Sequence, residues 1–116
     1  MVSRRVERVA TAIKEEVSRI IQEEVKDPRI GFITITDVEL SQDLRHAKVF
    51  ISVYGNESEG EKALKGLSSA AGFIRSQMGK RIKLRYTPEI VFKWDRSIER
   101  GARIEELLKQ IGRNSD

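Results

Sequence analysis

The segment Ala47-Lys48-Val49-Phe50-Ile51-Ser52-Val53 alternates apolar and polar-or-aromatic residues without a slip, and it constrains the fold more than any other stretch. Strict period-two alternation describes a strand with one face buried, so something must cover Ala47, Val49, Ile51 and Val53. The strand is predicted over His46–Tyr54. Phe32–Leu40 reads as a second strand, with Ile33 and Ile35 followed by Val38 and Leu40. Its phase slips by one near Thr36 and Asp37, which predicts a bulge or strong twist there. A turn over Ser41–Arg45 joins the two as an antiparallel hairpin. The cover is available on both sides in sequence. Upstream, Val6, Val9, Ile13, Val17, Ile20 and Ile21 recur by threes and fours, a helical stripe over Ser3–Val25 that Ser3 can cap and that Asp27, Pro28 and Gly31 end. Downstream, after a Gly55–Gly60 loop, Ser58 and Glu61 form a capping box ahead of Ala63, Leu64, Leu67, Ala70, Ala71, Ile74 and Met78.

Gly72 interrupts that second stripe, and Gly79 is expected to close it as a C-terminal cap. Lys80–Arg85 is expected to be extended, with Ile82 and Leu84 alternating with the charges. Pro88 introduces a third strand, Glu89–Trp94, and Asp95 or Ser97 starts a last helix carrying Ile98, Ile104, Leu107, Leu108 and Ile111. A chain that leaves the second strand, passes through helix and returns as a strand makes a right-handed crossover, so the third strand should lie parallel to the second. The fold class is α+β: a three-stranded mixed sheet with helices on one face. Residues 1–112 are expected to form a single domain and residues 113–116 a flexible tail.

The chain has 116 residues, enough for one domain with its own core. It contains no cysteine, one histidine and no phosphate-cradling glycine-rich loop. Disulfides, thiolate metal sites, nucleophilic triads and histidine-rich metal centres are excluded, and no cofactor is expected. The one histidine, His46, sits at a strand start beside Arg45 and Lys48, with no evident carboxylate to partner it, and reads as structural. No apolar run is long enough for a membrane span, and no signal-peptide stretch follows the charged Met1–Arg8, so a cytoplasmic protein without membrane contact is expected. The net charge of +4 is unevenly spread. Arg75–Pro88 holds five basic residues and no acid, whereas Asp37–Glu61 holds six acids against Arg45 and Lys48. Such a basic face suits a polyanion. It equally suits an acidic protein surface, and a non-catalytic adaptor is the rival reading.

Two short motifs narrow the choice. Ser69-Ala70-Ala71-Gly72-Phe73-Ile74-Arg75 places small residues in the middle of a helical run. Two helical pieces between strands, joined at a small-residue kink, form the centre of a KH domain, although the G-x-x-G of ordinary KH domains is absent here. A continuous helix that tolerates one glycine, at roughly 1 kcal/mol, fits the same residues. Pro88-Glu89-Ile90-Val91-Phe92-Lys93-Trp94-Asp95-Arg96-Ser97-Ile98-Glu99-Arg100-Gly101 is an apolar strand running into a capped helix. Trp94 shares a face with Ile90 and Phe92, which makes it core rather than a base-stacking platform.

These motifs, with Ser3-Arg4-Arg5-Val6-Glu7-Arg8-Val9, Asp27-Pro28-Arg29 and Asp43-Leu44-Arg45-His46-Ala47-Lys48-Val49-Phe50, resemble the ribosome-binding factor A family over nearly the whole chain. In that family an A-x-G kink, here Ala70, Ala71 and Gly72, replaces G-x-x-G. The resemblance implies a type II KH-like fold in which the helix kinks at these residues. It also implies binding to the free small (30S) ribosomal subunit, contact with 16S rRNA, and a part in late subunit maturation, rRNA processing and cold adaptation by a monomeric protein with no enzymatic activity. Carried onto this chain, it makes Arg75, Lys80, Arg81, Lys83 and Arg85 the expected RNA-binding surface, with Arg4, Arg5 and Arg8 as a second contributor. Glu15 and Glu16 serve as the expected neutral control.

Overall fold

The computed structural model describes residues 3–96. Helix α1 spans Arg4–Glu24, and the Ser3 hydroxyl accepts from the Val6 amide at 3.2 Å, as its capping chemistry predicts. Its buried residues are Val6, Ile13, Val17, Ile20 and Ile21, the stripe read from the spacing. The helix stops short of Pro28. Asp27 there accepts from the Arg29 backbone amide at 3.0 Å and grips the Arg29 guanidinium at 2.6 Å. That grip holds the Asp27 carboxyl below the usual carboxylate range.

Strand β1 (Ile33–Leu40) and strand β2 (His46–Val53) pair antiparallel, and the register shifts between Ile35 and Asp37. The expected bulge is therefore present, with Thr36 as the extra residue. Its hydroxyl turns to Asp95 at 2.7 Å. Strand β3 (Glu89–Trp94) runs parallel to β2, from His46 opposite Glu89 to Ile51 opposite Trp94. The sheet order is β1-β2-β3, the mixed topology that the crossover rule requires. Helix α1 packs against β1, helix α2 (Glu57–Arg81) packs against β3, and the two helices touch. One core joins Ile13, Val17, Ile20, Val49, Ile51, Leu67, Ile74, Met78 and Phe92.

Helix α2 corrects four expectations. It runs as one helical segment from Glu57 to Arg81, so the two pieces expected to meet at Ala70, Ala71 and Gly72 are a single helix. Gly72 does not adopt a positive φ, and a Cβ built on it would meet nothing within 4 Å. Energetics explain the continuity. A helical glycine costs about 1 kcal/mol. Leu67, Ile74 and Met78, all fully buried on either side of it, each contribute roughly 1.5–3 kcal/mol when withdrawn from water. The helix begins at Asn56, whose side chain accepts from the Glu59 amide at 2.9 Å; Ser58 lies inside the first turn. Gly79 is internal rather than terminal, and the cap is Ile82, so Lys80 and Arg81 are helical and the irregular segment starts after them. The helix expected from Asp95 or Ser97 lies outside the described residues.

Trp94 fits its sequence reading. It is half-buried on the face of Ile90 and Phe92, and its six-membered ring lies over Gly60 of α2. A Cβ on Gly60 would stand only 2.1–2.5 Å from three ring carbons, so close helix–strand packing depends on the missing side chain.

Candidate nucleic-acid interface

The β1–β2 turn is unusually well fastened. Ser41 Oγ and Asp43 Oδ1 lie 2.6 Å apart, and both accept from the Arg45 amide, at 3.2 and 3.0 Å. Ser41 Oγ also accepts from the His46 amide at 3.0 Å. Leu44 takes a φ of 63°, a left-handed conformation uncommon for a non-glycine residue. The Asp43 carboxyl is held below its ordinary range, first by the Ser41 hydroxyl and then by the Arg45 amide. These bonds fix where Arg45 leaves the turn. Its carbonyl in turn accepts from the Glu89 amide at 2.8 Å, tying the turn to the start of β3.

Arg45 thereby meets the segment between α2 and β3. Its guanidinium lies over the Tyr86 ring, 4.9 Å from the centroid, and that of Arg85 lies 5.7 Å away. Tyr86 stays 54% exposed. Beside it opens a pocket of about 360 Å³ lined by Arg5, Gln42, Asp43, Leu44, Arg45, Leu84, Arg85 and Tyr86. Tyr86 and Arg45 also border a second hollow, shared with His46, Arg75, Thr87 and Glu89. The start of α1, the hairpin turn, Arg75 of α2 and the α2–β3 segment thus converge on one basic, aromatic surface.

Of the residues expected to bind RNA, Arg5, Arg75 and Arg85 are brought together here. Arg75 is anchored: its guanidinium donates to the Thr87 carbonyl at 2.8 and 3.3 Å, which locks the loop while leaving the charge at the surface. Arg4, Arg8, Lys80 and Lys83 are exposed but line neither hollow. Arg81 is set apart. Its guanidinium pairs with Glu24 and, at 3.5 Å, with Glu16, both on α1. It ties the helices together, and Glu16, expected to be a neutral control, is one of its partners. His46 likewise has a carboxylate beside it, Glu89 at 3.8 Å across the β2–β3 register, contrary to expectation.

Sequence reasoning missed Arg45 and Tyr86. Tyr86 follows Arg85 directly, and an aromatic residue within a basic run is the signal that marks it. Arg45 is separated from Tyr86 by the whole of α2 and gives no such signal.

A three-stranded mixed sheet backed by two helices, with a basic aromatic surface at the hairpin turn, defines a KH-like α+β domain. The family model for ribosome-binding factor A matches residues 5–108, and the chain belongs to that family. Ribosome-binding factor A of Halothermothrix orenii is 57% identical over 111 residues, covering 96% of this chain and 91% of its own. The solution structure of a Thermotoga maritima protein described as a putative ribosome binding factor A superposes with a TM-score of 0.73 at 34% identity, covering 83% of this chain and 92% of the other. A model of the Thermus thermophilus protein, fitted into an electron cryo-microscopy map of its complex with the 30S subunit, superposes with a TM-score of 0.58 at 26% identity, covering 78% and 91%.

Proposed function

We propose that this chain binds the free small ribosomal subunit through 16S rRNA and assists late subunit maturation and rRNA processing, with its demand greatest in the cold. The observation that carries the reading is the convergence of Arg5, Arg45, Arg75 and Arg85 on Tyr86, in a chain of the ribosome-binding factor A family. The fitted Thermus thermophilus complex supports the small subunit as the partner. Guanidiniums suit the sugar-phosphate chain because each neutralised phosphate releases condensed counterions. The protein acts as a monomeric binding factor in the cytoplasm and carries out no turnover. No described helix is long and apolar enough to cross a membrane, and no group of three or more His, Cys, Asp or Glu that could hold a metal ion occurs among the described residues.

Co-sedimentation with purified small and large subunits, with and without ribonuclease, tests the reading. Selective, ribonuclease-sensitive pelleting with small subunits is expected. Log affinity should fall linearly with log salt, and reversing Arg5, Arg45 and Arg85 together should flatten that slope. An unchanged slope, or a shallow dependence that survives ribonuclease, would favour an adaptor that uses the same face on an acidic protein.

A further inference from the structure

The geometry points to the Tyr86 pocket as a site for one unpaired RNA nucleotide, its base stacked on Tyr86 and its flanking phosphates held by Arg5, Arg45 and Arg85. This rests on the rRNA-binding reading and adds to it the form of RNA recognised. Three features carry the inference. Tyr86 keeps more than half its surface in water, and the backbone beside it is anchored, because the Thr87 carbonyl accepts from Arg75. An exposed ring on an anchored segment offers a base a face to stack on. The pocket beside it, about 360 Å³, lies at the lower end of the range of roughly 300–1,000 Å³ for small-ligand sites. The cations around the ring are available: Arg5, Arg45 and Arg85 make no salt bridge among the described residues.

Asp43 lines the same pocket, but its carboxylate is occupied by the Ser41 hydroxyl and the Arg45 amide. It repels phosphate from the turn wall and leaves the three arginines as the anion's place. A base arriving on Tyr86 competes with the guanidiniums for the ring, and these then swing to the phosphates, a trade that costs little because both contacts are exposed. A duplex cannot make it. In A-form RNA the bases are stacked inside and only phosphates and minor-groove edges are offered, so Tyr86 finds no base face. The fastened turn, with Leu44 in its left-handed conformation, supplies the rigidity that keeps Arg45 at the pocket in the free protein.

The test compares the full chain with its Tyr86→Ala, Tyr86→Phe and Arg45→Gln variants by fluorescence anisotropy. The probes are a short unstructured single-stranded RNA and a blunt duplex of the same sequence, and circular dichroism checks folding. Tyr86→Ala should weaken single-strand binding roughly tenfold at unchanged salt slope, since base–aromatic stacking is sensitive to alanine substitution. Tyr86→Phe should bind like the parent, and duplex affinity should not change in either. Arg45→Gln should lower the single-strand salt slope by about 0.7. Undiminished single-strand affinity in Tyr86→Ala, equal losses on both probes, or no single-strand binding by the parent chain would each overturn the site. Pelleting with small subunits is scored separately. If the parent pellets and Tyr86→Ala shows no selective loss, the nucleotide site fails alone. If Tyr86→Ala shows the selective loss and the parent does not pellet, the site stands and the subunit assignment falls.

Discussion

The same substitution at two glycines of one helix should change stability in opposite directions. Both Gly60 and Gly72 lie inside α2, so alanine at either gains about 1 kcal/mol of helix propensity. At Gly72 nothing opposes the gain, because the new methyl meets no atom within 4 Å. Gly72→Ala should therefore raise stability by about 1 kcal/mol, or about 4 °C in Tm for a domain of this size. At Gly60 the methyl would stand 2.1–2.5 Å from the Trp94 ring, against an optimum of roughly 3.5–4.0 Å between carbons. The ring has to move by more than about 1 Å, which disturbs its contact with the Arg96 guanidinium, 4.0 Å from its centroid. Overpacking of this kind costs about 1–3 kcal/mol, and a clash with three ring carbons belongs at the upper end. Net of propensity, Gly60→Ala should lose about 2 kcal/mol.

A double-mutant cycle in urea, followed by far-ultraviolet circular dichroism, isolates the cause. With Trp94→Leu as background the ring is gone, and Gly60→Ala should then stabilise as Gly72→Ala does. The coupling energy should be about 3 kcal/mol, within the range for residues in direct contact. Additivity of Gly60→Ala with Trp94→Leu would refute the packing argument. A loss of stability in Gly72→Ala would show that the helix needs a glycine there.

Arg81→Ala should cost about 1–3 kcal/mol, because its partners Glu16 and Glu24 are half-buried and would lose their counter-charge, and should leave the salt slope of small-subunit binding unchanged, whereas Arg85→Ala should lower it by about 0.7–0.9. A lowered slope for Arg81→Ala would return that residue to the RNA surface. Asp43 contributes stability through its depressed pKa; this contribution is complete above the ordinary carboxylate value of about 4 and is lost as pH falls through the lower folded value. In an acid titration by NMR, the Arg45 amide should therefore shift below pH about 4, and Asp43→Asn should abolish the shift; an inflection above that value would contradict the turn geometry. Charge reversal at Glu15, which makes no ion pair among the described residues, should leave subunit binding intact or strengthen it, while reversal at Glu16 should also lower Tm because it breaks the Arg81 tie.

What was legible follows from how local each cause is. The period-two run of β2 specifies its buried face by itself, and the phase slip at Thr36 reports the bulge because a one-residue shift moves every later side chain to the other face. The parallel β3 follows from a chirality rule that needs only the element order. Where two local solutions are nearly equal, sequence does not choose. Asn56 and Ser58 cap comparably well, so the start of α2 was misplaced by two residues. Gly72 and Gly79 read locally as a break and a stop, but the burial of Ile74 and Met78 outweighs both. In the candidate site, Arg5, Arg75 and Arg85 are legible from the basic runs together with the family resemblance, whereas the use of Arg81 by Glu16 and Glu24 is a contact between distant helices. Arg45 belongs to a stretch whose overall charge is acidic, which concealed it.

A net charge of +4 spread evenly over the surface would give weak, unplaced attraction to any polyanion. The chain distributes it instead. Arg19, Arg29, Arg81 and Arg96 are each matched to a carboxylate, on Glu16, Asp27, Glu16 with Glu24, and Glu57. The pairs of Arg19, Arg29 and Arg96, whose guanidiniums are exposed, add little to stability. The larger effect of the pairing is to remove four arginines from competition for phosphate. Arg4, Arg5, Arg8, Arg45, Arg75 and Arg85 make no salt bridge among the described residues, and three of these six, Arg5, Arg45 and Arg85, border one pocket. Counterion release depends on the number of phosphates neutralised at a place, not on the total charge carried. Three arginines each meeting a phosphate of a single strand would give a salt slope of roughly 2, steep enough to be measured and small enough that losing one arginine is visible. Acidic residues elsewhere on the surface thus sharpen the basic site, and reversing the wrong carboxylate would blur it by freeing an arginine that the fold holds back.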